Sequence, residues 1–297
     1  GVRLGLISDS QFGVEVETGE AVEICRKIAM HPDCFELSCI HFSVASNAKN
    51  ARLHKKCVLK ALEFMIELKR EMDISISFLD IGGGFGVLTT KIMSRQEYAM
   101  YRLFRCLPKP PSFQNYQPIQ PFLSEIIIAI EKFTYKHGLD MPKLLIEPGR
   151  YVTSCSEFLL TKVHAIKKNK NGTQFVITDA GRISLAYPCD YEYHEVFLAN
   201  RPYEKATELY QIIGRVCTPA DWMFKNRCLP PLRPGDVLAV MDAGAYFSSY
   251  SSNFSFPRPP IVMVSEGGAH VIRNQETFEH LIAMDNLWAS RSARTDS

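Results

Sequence analysis

The sequence predicts an α/β domain built on a parallel sheet, followed by a domain that is mostly antiparallel β. Three observations lead there. In the first half, stretches of helical apolar spacing alternate with short apolar strands. Two of those strands end in glycine-bearing turns, Asp80-Ile81-Gly82-Gly83-Gly84 and Glu147-Pro148-Gly149-Arg150. After about Val152 the helical spacing gives way to short strands separated by turn signals.

Taken in order, Thr18 can cap a helix in which Ala21, Val22, Cys25, Ile28 and Ala29 recur at helical spacing. Residues 35–44 read as a buried strand. Residues 48–71 read as a long helix with Leu53, Val58, Leu62, Met65 and Leu68 on one face and Lys and Arg on the other. Residues 74–80 form an Ile-rich strand ended by three glycines, 122–137 an amphipathic helix, and 143–147 a strand. The Pro- and Gln-rich stretch 108–121 is expected as a surface loop of the first domain. In the second half, strands at 158–166 and 174–179 flank a turn at 168–172. A strand at 236–242 follows Arg233-Pro234-Gly235. Strands at 260–264 and 270–273 and a terminal helix at 276–284 close the chain. The expected division is 1–152 and 153–297.

Composition limits the function classes. With 297 residues and 46% hydrophobic content, the chain can bury a sizeable core. A formal net charge of +2 offers no reason to expect a nucleic-acid or anionic-membrane partner. No apolar run reaches the length of a spanning helix. Nine scattered cysteines, none in a Cys-x-x-Cys pair, give no support for a zinc ribbon or a redox pair. They fit a reducing, cytoplasmic compartment, and no metal is expected. Asn171-Gly172 reads as a turn rather than as a glycosylation site.

Four segments can carry chemistry. Gly82, Gly83 and Gly84 at a strand end let backbone approach an anion closely, although a ligand-free tight turn uses the same residues. Glu147 and Arg150 place a carboxylate and a planar guanidinium together, as a binding pair or as a boundary salt bridge. Asp242-Ala243-Gly244-Ala245-Tyr246 can lean a phenol toward a ligand. In Cys217-Thr218-Pro219-Ala220-Asp221, a thiol beside an Asp can relay protons, or the cysteine can simply be buried.

In this order, and with Ser251-Ser252-Asn253-Phe254 and Arg258-Pro259 following, the four segments resemble the fold-type III pyridoxal-phosphate decarboxylases of diaminopimelate, ornithine, lysine and arginine. The diaminopimelate branch is the most similar. The resemblance runs from about Phe12-Gly13 to Glu276-Thr277. It implies part of a (β/α)8 barrel followed by an antiparallel β-sandwich or barrel domain. It also implies pyridoxal 5'-phosphate as cofactor and α-decarboxylation of an L-amino acid. Gly82, Gly83, Gly84, Ser46, Gly149, Arg150 and Tyr246 would hold the phosphate. Glu147, followed by Pro148, would keep the pyridine nitrogen protonated. Cys217 would return the proton, reaching into the site of a partner in a homodimer. Arg150, Tyr191, Glu192, Thr218 and Tyr246 would face the substrate.

The sequence also departs from the family. The family's Schiff-base lysine segment is absent and would fall before Gly1. An eight-unit barrel takes about 250 residues, and about 150 precede the end of the Glu-Pro-Gly-Arg strand, so the chain is expected to start mid-barrel. In Ile40-His41-Phe42-Ser43-Val44-Ala45-Ser46, the family's ring-stacking histidine falls at Ser43, and Ala45 replaces a glycine. His41, two residues earlier, shares its strand face. Tyr187-Pro188 and Thr218 replace groups that recognise diaminopimelate, so another substrate is expected, a carrier-tethered amino acid included. Asp190-Tyr191-Glu192 would set a carboxylate near a distal amine. The competing expectation is a non-catalytic relative acting by protein binding. An amino-acid racemase fits less well, because the Cys217 and Tyr246 segments belong to the decarboxylases.

Overall fold

The computed structural model describes residues 1–7, 11–112, 116–186 and 188–285. In chain order the first elements are β1 (Val2–Gly5), β2 (Val14–Glu15), α1 (Glu20–Ala29), β3 (Cys39–His41), α2 (Arg52–Met72) and β4 (Phe78–Asp80). Next come β5 (Lys91–Ile92), α3 (Arg95–Phe104), α4 (Ile119–His137), β6 (Lys143–Leu145) and α5 (Gly149–Thr153). Two compact units result. One comprises Gly1–Lys91 and Pro110–Ser154; the other comprises Ile92–Lys109 and the chain from Cys155. The stretch containing α3 therefore clusters with the second unit, although the sequence keeps it among first-domain elements.

The first unit is a parallel sheet in the order β2-β1-β3-β4-β6. Helices α1, α2 and α4 are the crossovers between consecutive parallel strands. The long α2 forms because its apolar residues recur every three or four positions. It buries Cys57, Val58, Ala61, Leu62, Phe64, Met65 and Leu68. These join Ile40, Leu79, Ile81 and the α4 residues Phe122, Ile126 and Ile130 in one core. Each large side chain so buried contributes about 1.5–3 kcal/mol. Asp73 ends α2 in the left-handed conformation, and Gly138 ends α4 the same way. At α1 the expected cap shifts by one. Gly19, at φ 79°, precedes the helix without a side-chain cap, so Thr18 does not serve there.

The second unit continues with β7 (Leu159–Lys168), β8 (Gln174–Thr178), α6 (Arg182–Leu185), α7 (Pro188–Tyr191), β9 (Glu192–Tyr193), β10 (Val196–Leu198), β11 (Glu208–Ile213) and β12 (Trp222–Leu229). Then follow β13 (Val237–Val240), α8 (Phe247–Tyr250), β14 (Ile261–Ser265), β15 (Gly268–Arg273) and α9 (Phe278–Ile282). Six strands form one sheet in the order β10-β13-β7-β8-β11-β12. The pairing is antiparallel except between β8 and β11, which run parallel. The β7–β8 turn is held by Asn169 Oδ1, which accepts from the N–H groups of Asn171 and Thr173. A separate core of Val163, Val176, Tyr210, Ile212, Phe224, Leu238 and Val240 fills this unit. No helix among the described residues is long and apolar enough to cross a membrane.

Candidate functional site

In the first unit, the C-terminal ends of β3, β4 and β6 bring one group of candidate residues together. Register does this directly. His41 pairs with Asp80, and Asp80 pairs with Leu145. Glu147 lies two residues beyond Leu145, so its side chain leaves on the same face as those of His41 and Asp80. His41 Nε2 is 3.8 Å from Glu147 Oε1, with Glu147 58% exposed at the side chain. The three ligand-type groups of His41, Asp80 and Glu147 lie within 4.8 Å of one another.

The glycine loop sits beside them, and the structure gives those glycines a reason beyond ligand approach. A Cβ on Gly83 would lie 2.3 Å from Glu147 O, and one on Gly84 would lie 2.0 Å from Ala45 O. Gly82 and Gly84 also have positive φ. The loop is thus wedged between its neighbouring strand ends. Gly84 O accepts from Ala48 N–H at 2.7 Å, and Gly82 O accepts from Glu147 N–H at 2.9 Å. The amide of Gly82 is already engaged, donating to Asp80 Oδ1 at 2.9 Å. Gly82 therefore fixes the loop rather than offering its own N–H to a phosphate.

Several flanking residues were not legible as site residues. His54, on α2, is fully buried beneath the loop, and its Nε2 donates to Gly83 O at 3.0 Å. Asn47, buried and at φ 55°, donates to Thr90 O and accepts from Val87 N–H, which pins the chain leaving the glycines. Neither lies in a recognisable motif; Asn47 is marked only by an Asn following Ser46. Ser46 and Ser43 are both exposed. Arg150 is buried, with its charge close to the Tyr116 phenol. Burial pushes that phenol above its ordinary value, against the opposing pull of the Asn47 hydrogen bond and of Arg150. At Gly149 an added Cβ would meet nothing within 4 Å, so the chain is open there.

The second unit carries the remaining candidates. Cys217 is exposed on a loop organised by Asp221. The Asp221 carboxylate, on a residue 4% exposed, accepts from Arg182 N–H at 2.7 Å and from Val216 N–H at 2.8 Å. Gly181 and Gly214 leave it room, since a Cβ on either would lie 2.3 or 2.2 Å from its oxygens. Asp221 thus anchors the loop instead of relaying protons for the thiol. Thr218, Asp221, Arg182, Tyr250, Ser252 and Phe254 help line a cavity of about 290 Å³. Tyr246 precedes α8 in the left-handed conformation and is 37% exposed. Phe247, next in the chain, is buried against His194.

Glu192 corrects one expectation. It is fully buried, and its Oε2 lies 3.2 Å from His194 Nε2, while His194 Nδ1 meets Met241 O at 3.0 Å. A carbonyl only accepts, so His194 carries a proton on Nδ1. A carboxylate enclosed in this way serves the fold, not a ligand's ammonium. Its neighbour Tyr191 is partly exposed, and Asp190 is paired with Arg182. Tyr187 lies outside the described residues.

The geometry fits the group that the sequence resemblance implies. An exposed carboxylate at one strand end can meet a ring nitrogen, and a glycine loop at the next leaves space without side chains. Comparisons with known proteins agree with that fit. Residues 5–154 match the family described as "Pyridoxal-dependent decarboxylase, pyridoxal binding domain", and residues 150–244 match its "C-terminal sheet domain". The diaminopimelate decarboxylase of Methanothermobacter thermautotrophicus is 32% identical over 94% of this chain and 59% of its own length. That of Methanocaldococcus jannaschii is 31% identical, over 94% and 58%. The crystal structure of the M. jannaschii enzyme superposes with a TM-score of 0.76 at 30% identity, again over 94% of this chain and 58% of the other. A Helicobacter pylori diaminopimelate decarboxylase complexed with L-lysine gives a TM-score of 0.71 at 26% identity, over 94% and 61%. The chain thus spans about three-fifths of the length of these relatives.

Proposed function

The chain belongs to the pyridoxal-dependent decarboxylase family, and from that membership we propose that it forms the ring- and phosphate-binding part of an enzyme that removes the α-carboxylate of an L-amino acid as CO2. The observation that carries this reading is the exposed Glu147 carboxylate beside the glycine loop, on adjacent strand ends. Pyridoxal 5'-phosphate, when bound, supplies the electron sink for the departing carboxylate. Glu147 holds a proton on the ring nitrogen, which deepens that sink. Gly83, Gly84, Ser46, Gly149, Arg150 and Tyr246 hold the phosphate. The exposed Cys217 thiol returns a proton to the substrate carbon after CO2 leaves. Arg150, Tyr191, Thr218 and Tyr246 face the substrate. The enzyme works as a homodimer whose sites take Cys217 from the partner subunit.

The substrate is an amino acid other than diaminopimelate, because Tyr187 and Thr218 stand where groups recognising its far end occur. The test is CO2 release by the full-length protein from α-carboxyl-labelled diaminopimelate, ornithine, lysine and carrier-tethered amino acids. One of the others should exceed diaminopimelate in kcat/KM. Diaminopimelate ranking first would overturn the substrate assignment. Ser43, exposed where a stacking ring is expected, favours a second reading, that of a non-catalytic relative acting by protein binding. Release of no CO2 from any of these substrates would select it.

A further inference from the structure

We propose that His54 is a positioning residue for the cofactor's phosphate: by holding the Gly83 carbonyl from α2, it aims the Gly84 amide at that group. This role rests on the cofactor reading above.

A peptide unit is planar and trans, so its C=O and its N–H point in opposite directions. A loop can therefore offer N–H groups to an anion only if its carbonyls are turned away. Each carbonyl of the glycine run is held by a donor. Gly82 O accepts from Glu147 N–H at 2.9 Å, and Gly84 O accepts from Ala48 N–H at 2.7 Å. Gly83 O accepts from His54 Nε2 at 3.0 Å, the one side-chain donor of the three. Among the described residues, no acceptor meets the N–H of Gly83 or of Gly84. With its carbonyl drawn down onto α2, the Gly83–Gly84 peptide directs the Gly84 N–H to the opposite side. This peptide is also the easiest to turn over, because neither residue carries a Cβ. Turned over, it would present a carbonyl where the N–H stood, and an anion would be repelled.

The surroundings of His54 fit this task better than a packing role. The residue is fully buried, with its ring stacked on Phe85 at 5.6 Å and edge-on to Phe122 at 5.2 Å. Its Nδ1 is buried without a hydrogen-bond partner among the described residues. A polar ring enclosed in this way costs stability that an apolar side chain would not. Gly83 O is the one hydrogen-bond partner that the ring has in return among the described residues. The two aromatic rings hold the imidazole in the orientation that this bond needs.

Pyridoxal and pyridoxal 5'-phosphate differ only in the phosphate, so the ratio of their dissociation constants on the full-length protein reads the loop. His54→Leu and His54→Phe remove the donor with different shapes. Each should lower the preference for the phosphorylated form about tenfold or more and leave pyridoxal affinity unchanged. His54→Gln, which keeps a donor for Gly83 O, should restore most of the preference. In glycine-labelled wild type, which needs no variant to fold, the Gly84 amide proton should move downfield with pyridoxal 5'-phosphate and not with pyridoxal. An unmoved Gly84 resonance, an unchanged preference in a folded donor-free variant, or equal weakening of both ligands would overturn the role of His54 and leave the cofactor reading standing. Wild-type protein that binds pyridoxal as tightly as pyridoxal 5'-phosphate would overturn both.

Discussion

His54 sits beneath the glycine loop with one nitrogen satisfied and the other buried without a hydrogen-bond partner among the described residues. Phe85 and Phe122 surround the ring at 5.6 and 5.2 Å. Burial pushes its pKa below the ordinary histidine value, against the opposing effect of the Gly83 carbonyl. The unfolded chain therefore binds this proton more tightly, and stability is lost as pH falls below about 6.5. Urea unfolding at pH 7.5 and 5.5 should show a larger loss for wild type than for His54→Gln, which keeps a donor for Gly83 O without a titrating ring. Equal losses would contradict the assignment. Gly84 is constrained differently. Its φ of 80° and the 2.0 Å approach of Ala45 O leave no room for a methyl group. Gly84→Ala should cost about 2 kcal/mol or more, read as a lowered urea midpoint. The glycine run was legible because consecutive glycines after a strand are uncommon. Their tie to His54 was not, because a histidine within α2 has no local signature.

Among elements, the loop bearing Cys217 has the clearest physical dependence. Asp221 satisfies two backbone N–H groups from within the fold. Asp221→Ala leaves both unpaired and should destabilise the protein by about 2–4 kcal/mol. The reaction rate of Cys217 with a thiol reagent should rise or fall with it, as the loop loosens or collapses. An unchanged unfolding midpoint and thiol rate would show that the loop holds itself. Helices α2 and α4 and strands β4, β6, β7 and β8 were legible from apolar period and bounding turns. Strand β12 was not, because Lys225, Asn226 and Arg227 interrupt its alternation. The structure accounts for that with Asn226 at φ 51° and register shifts against β11. Helix α3 was missed despite a usable signal. Ser94 and Glu97 form a reciprocal capping box at its start.

At the scale of the whole molecule, the candidate groups are divided between the two units. The first holds Glu147 and the glycine loop, and the second holds Cys217 and Tyr246. The order of these motifs along the chain was legible from sequence and matches the family domains at residues 5–154 and 150–244. The fate of Glu192 was not, since only packing reveals that it is enclosed with His194. If sites are shared across a dimer, then mixing inactive Cys217→Ala and Glu147→Gln proteins should restore part of the CO2 release by subunit exchange. No recovery despite verified exchange would argue for self-contained sites. On the proposed function, the Glu147 carboxylate serves the bound ring. The most direct measurement is kcat for CO2 release by full-length wild type and Glu147→Gln at saturating pyridoxal 5'-phosphate. In Glu147→Gln kcat should fall about a hundredfold or more, with the cofactor still bound by absorbance. An undiminished kcat would contradict it.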